Sequence, residues 1–322
     1  MTQLKQTLAV PPLDNVTVAY SELRQGTKKG VPLAWWMKIG AKVVLSRLMP
    51  SYTTRKSLRL FQHGSMDRDP KRQIQQVERV FRYHREFSDG RPHVILELGP
   101  GDSAGMAIVA KAMGMEKSYL VDVGDFATVD MAVYRHLLDC IVAAGYPAPP
   151  EIRMSDRNSM LASVNANYFT SGTSALKEVP DASIDMLFSA AVLEHVARSE
   201  FQHLIDETFR IMRPGAIAHH QIDLMDHIGG ALNNLRFREE VWEHSLMSNS
   251  GFYTNRLRFS EILDRVKKAG FTYAVTQITR WPNLPTPRRA LAGSFSSFSN
   301  EELKIATFGL LLQKPASAHT AA

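Results

Sequence analysis

The sequence predicts an α/β fold with a doubly wound, mostly parallel sheet, and two observations carry that prediction. From Pro92 onward, short apolar strand patterns alternate with helical ones. The first strand pattern also runs straight into a glycine turn and then a helix, in "ILELGPGDSAG".

In order, "HVILELG" reads as a buried strand and "SAGMAIVAKAMG" as a helix closed by Gly114. "KSYLVDVG" and "ATVDMAVYRHLLDCIVAAG" repeat the pair, and "NANYFTSG" is a weak third strand. "SIDMLFSA" is a fourth strand, "EFQHLIDETFRIMRPG" a helix with a sharp stop, and "AIAHHQID" a fifth strand. After an irregular stretch, "SEILDRVKKAG" opens on a serine cap, and "TYAVTQITR" and "IATFGLLLQK" close the sheet, giving seven strands. The expected organisation is a basic helical extension or cap over 1–91 and an α/β domain over 92–314. A substrate-loop insertion occupies about 224–258, and a disordered tail covers 315–322.

Charge is uneven along the 322 residues. Residues 1–92 hold 17 Lys+Arg against 7 Asp+Glu, whereas the whole chain has a formal net charge of only +6. A basic region of this kind can meet phosphates, an anionic membrane or an anionic glycan carrier, or can simply be a solvated helical face. Residues 31–50, "VPLAWWMKIGAKVVLSRLMP", combine lysines with an apolar stripe and are a candidate for peripheral membrane contact. The single cysteine, Cys140, excludes an internal disulfide and fits a reducing compartment. No signal pattern or membrane-span-length apolar run is evident, so the expected location is cytoplasmic, with peripheral contact to an inner membrane as the variant.

The glycine turn is the cofactor candidate. Gly99, Gly101 and Ala104 satisfy the dinucleotide spacing, yet three features favour S-adenosylmethionine (SAM) over a dinucleotide. Pro100 removes an N–H from the turn, Glu97 puts a carboxylate where pyrophosphate would be repelled, and Asp122 ends the second strand where it can take both ribose hydroxyls.

On these residues, and on "VPDASIDMLFSAAVLEHV" (179–196) and "FRIMRPGA" (209–216), the chain resembles the class I SAM-dependent methyltransferases over about residues 92–314. The resemblance implies a Rossmann-like fold, with Glu97, Gly99 and Gly101 lining the methionine part and Asp122 with Val123 on the ribose side. It also implies Ser189 and Ala190 beside the sulfonium. The acidic residue that many members use for adenine is missing from "YFTSGTSAL", where Ser171 or Thr173 stands in its place. Glu194 and His195, in "LEHV", suggest an acid–base pair, but the resemblance places them at the opening of the helix after the fourth strand, where a local orienting role is the alternative.

"HHQIDLMDHIGG" (219–230) sits at the fifth strand's end, where ligands of open α/β sheets bind. Strand alternation separates His219 from His220, and the short spacing offers no convincing third ligand, so no metal is expected. Asp223, Asp226 and His227 are the catalytic candidates. A hydroxyl acceptor must lose a proton, and an imidazole is suited to take it.

Trp242, Phe252 and Tyr253, within a segment rich in Asn and Arg, could stack on sugar faces or pack a cap. That segment and "LFQHGSMD" (60–67) look similar to methyltransferases of bacterial surface-polysaccharide biosynthesis. This implies O-methylation of a sugar or glycan, lipid-linked or nucleotide-linked. The alternatives are a small-molecule methyltransferase of secondary metabolism, an RNA-binding methyltransferase, or a SAM-binding protein without catalysis. No recognised RNA module or long basic run is present, so no nucleic-acid partner is expected.

Overall fold

The computed structural model describes residues 13–23, 35–40 and 69–316. Strand β1 is Ala19–Glu22 and helix α1 is Pro70–Phe87; the units β2 (Val94–Leu98), α2 (Met106–Ala112), β3 (Lys117–Val121) and α3 (Met131–Ala143) follow. Next come α4 (Arg157–Ser163), β4 (Ala166–Phe169), β5 (Ile184–Ala190), α5 (Phe201–Ile211) and β6 (Met212–Asp223). Helix α6 (Phe259–Lys268), β7 (Thr272–Arg280) and β8 (Ile305–Gln313) complete the sheet layers.

The sheet has eight strands in the order β1-β7-β8-β6-β5-β2-β3-β4, and β8 alone runs antiparallel to its neighbours. The expected parallel core is present, but the count of seven is corrected. The extra strand, β1, pairs parallel with β7 at the edge, and all four of its residues are exposed. A half-apolar tetrapeptide with no buried face leaves no period-2 signature to read.

Helices cover both faces. Ile74, Val77 and Val80 of α1 join Ile108 of α2, Tyr134 and Leu137 of α3 and Met160 of α4 against Ile95, Leu120 and Met186. Leu204 and Ile205 of α5, with Ile262 and Val266 of α6, pack on Leu96, Leu187, Ala218 and Leu310 from the other side. The region 1–91 is therefore not a separate helical extension where it is described, because β1 and α1 belong to the sheet and its core. Asp69 caps α1 by accepting from the Arg72 N–H at 3.1 Å, and Pro70 begins it. Helix α6 starts one residue before the expected serine cap: its N-cap is Arg258, whose N–H donates to Glu261 Oε2 at 2.9 Å.

The switch in strand order lies between β5 and β2, so the carboxyl ends of β2, β5 and β6 open onto one crevice. Over it lies the segment 224–258, which contains a 3-10 turn (Asn233–Arg236) and two short helices (Glu239–Trp242 and Ser245–Ser248). Trp242, Phe252 and Tyr253 are buried there with Ile228 and Met247. Of the two readings of these aromatics, the packed cap holds. Of the candidate membrane stretch 31–50, only 35–40 lies within the described residues, and it is helical. Trp35 meets Phe237 edge-on at 5.9 Å and lies under the Arg236 guanidinium at 5.0 Å, whereas Trp36 and Met37 are exposed. "LFQHGSMD" lies outside the described residues, as do 317–322 of the tail. No helix among the described residues is long and apolar enough to cross a membrane.

Candidate active site

The turn after β2 takes the left-handed backbone that its glycines allow, with φ of +68° at Gly99 and +63° at Gly101. A Cβ on Gly99 would lie 2.4 Å from Val192 Cγ2, so a side chain there would collide with the loop after β5. Asp122 at the end of β3 holds this turn in place. Its Oδ2 accepts the Gly101 N–H at 2.8 Å and its Oδ1 the Val123 N–H at 2.7 Å. Each oxygen keeps a lone pair for a ligand's hydroxyl, which fits the expected ribose contact.

Glu97 is buried under α1, beside a water-sized cavity of about 10 Å³ that Gln73, Gln76, Pro100, Ser103, Met106 and Phe188 complete. Its Oε2 has no hydrogen-bond partner. Burial, with the neighbouring Asp122 charge second, pushes its carboxyl up to about 8. An orphaned carboxylate oxygen beside a glycine cradle fits the ammonium end of SAM. Gln73 and Gln76 were not legible as site residues, because α1 reads only as an amphipathic helix until the fold lays it across Glu97.

Val123 and Ser171 lie beside Asp122, where the ribose is expected. Val123 is 74% exposed, unusual for an apolar residue, and lies over Gly172, whose N–H donates to the Asp122 carbonyl at 2.8 Å. Ser171 is exposed at the start of the 3-10 turn Gly172–Glu178, and Thr173 is half-buried. An exposed apolar platform with a carboxylate behind it suits a nucleoside.

At the end of β5, Ala190 is half-buried and Ala191 takes a left-handed φ of +57°. The Ser189 side chain does not face the cofactor crevice as expected. It is buried, and its Oγ is 2.8 Å from His220 Nδ1 on the α5–α6 side. His219 points the other way, with its ring 5.1 Å from that of Tyr83 in α1. The two histidines are indeed split by the strand. Burial lowers His219 to about 3 and His220 to about 4, so both are neutral near pH 7.

The three catalytic candidates separate. Asp226 is corrected: its carboxylate is buried and filled by five donors. Oδ1 accepts the Ile228, Gly229 and Gly230 N–H groups at 3.0, 2.6 and 3.1 Å. Oδ2 accepts Asn233 N at 2.6 Å and Asn233 Nδ2 at 3.0 Å. Asp226 thus folds the loop and is not placed to take a proton from a substrate. Asp223 and His227 remain at the mouth, half-buried, with His227 Nε2 3.8 Å from Asp223 Oδ2.

His227 has partners that the sequence reading kept apart from it. Its ring centroid is 4.7 Å from that of His195, and Glu194 joins the pair from the same loop. Asn255 fastens this loop to the cap: its Nδ2 donates to the carbonyls of Leu193 and Val196 at 2.7 and 2.9 Å, and its N–H to that of Glu194 at 2.7 Å. Val192, which packs on Gly99, precedes Glu194 by two positions, so the cluster adjoins the glycine turn.

Residues 147–219, from the loop after α3 into β6, match the family model described as a methyltransferase domain. Over this stretch the chain is similar to a methyltransferase domain. No curated protein matches its sequence. Among solved structures it is similar to an O-methyltransferase family protein from Burkholderia thailandensis, at 11% identity and a TM-score of 0.47, covering 88% of this chain and 69% of that one. It is also similar to a SAM-dependent methyltransferase from Archaeoglobus fulgidus, at 14% identity and a TM-score of 0.40, covering 75% and 94% of the two chains. Both likenesses are remote.

Proposed function

We propose that this methyltransferase moves the methyl group of SAM onto a hydroxyl, the acceptor being a sugar or glycan intermediate. The observation that carries the O-methylation reading is the meeting of two chemistries across Val192. Glu97, Gly99, Gly101 and Asp122 form a cradle on one side, and His195, Asp223 and His227 form a proton-handling face on the other.

When bound, SAM supplies a methyl group already activated on a sulfonium. Glu97 takes the ammonium end, and Asp122, fixed by two backbone N–H groups, takes the ribose diol. Asn255 fastens the insertion to the loop after β5, and Trp242 ties the insertion to itself, which fixes the loops beside the crevice. His227 and Asp223, half-buried side by side, meet the acceptor hydroxyl, and one of the two receives its proton as the new bond forms.

Polar groups on the α1 side support a many-hydroxyl acceptor. Arg79 Nη1 donates to Gln221 Oε1 at 2.8 Å, and Gln76 lies beside the same strand ends. Trp36 and Met37, exposed on the helix that packs on the cap, support contact with a lipid-linked form at a membrane surface. The test is mass spectrometry of glycans from cells with and without the protein, together with incubation of the purified chain with methyl-deuterated SAM. A deuterated methyl on a hexose hydroxyl is expected. Methylation confined to nitrogen or carbon acceptors would overturn the reading.

A further inference from the structure

The cluster where the loops after β5 and β6 meet goes beyond proton transfer. One ligand atom each from Glu194, His195 and His227 lies within 4.8 Å of the others, close enough to share one ion. Local spacing in 219–230 gave no third ligand, because two of the three come from a segment 32 positions earlier, counting from His195 to His227.

Three independent features fit a cation at this point. Glu194 is buried, with a relative exposure of 3%, and neither carboxylate oxygen has a hydrogen bond of good geometry, although the backbone N–H groups of Glu194 and Asp223 lie beside the carboxylate. An ionised carboxylate so placed needs a positive partner, and no lysine or arginine pairs with it among the described residues. The His195 Nδ1 lies 2.9 Å from the Tyr253 carbonyl oxygen, which can only accept, so Nδ1 carries the proton and Nε2 keeps its lone pair. This is the backbone anchor that metal-bound histidines commonly show. The third feature is an open side: His227 is 27% exposed in its side chain, and Asp223 Oδ2 stands 3.8 Å from its Nε2, which leaves room for an acceptor oxygen.

We propose that Glu194, His195 and His227 bind one divalent transition-metal cation at the acceptor end of the crevice. Two imidazoles and one carboxylate suit manganese, iron, cobalt or zinc, whereas magnesium and calcium favour all-oxygen sites. The site deepens the O-methylation reading and rests on it only for the cation's role. With the cation bound, His227 holds the metal, and the acceptor hydroxyl becomes a ligand whose proton is more easily lost to Asp223 or water.

The test uses the full chain, stripped with chelator and titrated calorimetrically with Mn2+ and, separately, Zn2+. One ion per chain is expected, with nitrogen couplings from two imidazoles in the pulsed electron-spin spectrum of the Mn2+ form. Glu194→Gln and His227→Asn should each weaken Mn2+ binding at least tenfold, and His203→Gln, an exposed histidine on α5, should leave it unchanged. Circular dichroism verifies that each variant is folded. No stoichiometric uptake by the unaltered chain, or equal uptake by both site variants, would overturn the proposal. SAM affinity measured on the same samples separates the two readings: cation uptake without SAM binding sinks the methyl-transfer reading alone, and SAM binding without cation uptake sinks the metal site alone.

Discussion

Glu97 gives the cofactor site a pH signature that can be worked out from the structure. Its carboxyl is held at about 8 by burial and by the Asp122 charge, so near neutral pH the free protein keeps it mostly protonated. An ammonium ligand needs the carboxylate, so binding must first remove that proton. About 1 molecule in 100 has an ionised Glu97 at pH 6 and about 1 in 11 at pH 7, so SAM affinity should rise about ninefold over that unit, close to 1.3 kcal/mol. The ligand's own amino group, with an ordinary pKa of about 7.7–8.0, is still mostly charged at pH 7 and trims the rise to about eightfold; above pH 7 its own titration flattens the curve. Calorimetry at pH 6.0, 6.5, 7.0 and 7.5 reads the slope directly. Glu97→Gln should bind more weakly at pH 7.5 and show no slope. A flat response in the unaltered chain, or the same slope in Glu97→Gln, would refute the assignment of Glu97 to the ammonium.

Other consequences follow from the same geometry. Between about pH 4.5 and 8 the unfolded chain gives up the Glu97 proton while the folded chain keeps it, so this group costs the ligand-free protein stability as pH rises; Glu97→Gln should therefore raise Tm at pH 8 while weakening SAM binding. Asp122→Ala removes the acceptor of two backbone N–H groups as well as the ribose partner, and calorimetry should show at least a tenfold loss of SAM affinity; unchanged affinity would sink the ribose assignment. Asp226→Ala strands four backbone N–H groups and one amide, and should cost about 2–4 kcal/mol in chemical denaturation, whereas a catalytic role would lower turnover at unchanged stability. His227→Ala should reduce turnover at least tenfold and leave SAM affinity within about twofold, and near-normal turnover would remove His227 from the chemistry.

Much of the fold was legible because its signals are local. Buried parallel strands such as "VILEL" and "IDMLFSA" are unbroken apolar runs, and the glycine turn announces itself by residue type. The turn and the carboxylates beside it were legible for the same reason: Glu97, Gly99, Gly101 and Asp122 sit at fixed offsets from strand ends. Asp223 and His227 were legible at the end of the fifth strand, but the meeting of His227 with Glu194 and His195 was not, since it arises only through tertiary packing. Glu194 and His195 read as the start of a helix, and nothing in their spacing points to His227. Asp226 misled in the opposite sense. Its neighbours made it look like chemistry, although "DHIGG" is the pattern in which an aspartate folds back onto the N–H groups that follow it. Trp242 likewise read as a sugar platform until the cap closed over it, with its Nε1–H donating to the Thr254 carbonyl at 2.8 Å.

A crystal structure with S-adenosylhomocysteine tests most directly where the methyl donor sits. The ribose hydroxyls are expected on the Asp122 carboxylate and the amino group beside Glu97, with the Gly99–Gly101 turn unmoved. Density for the ligand anywhere other than this turn would contradict this placement.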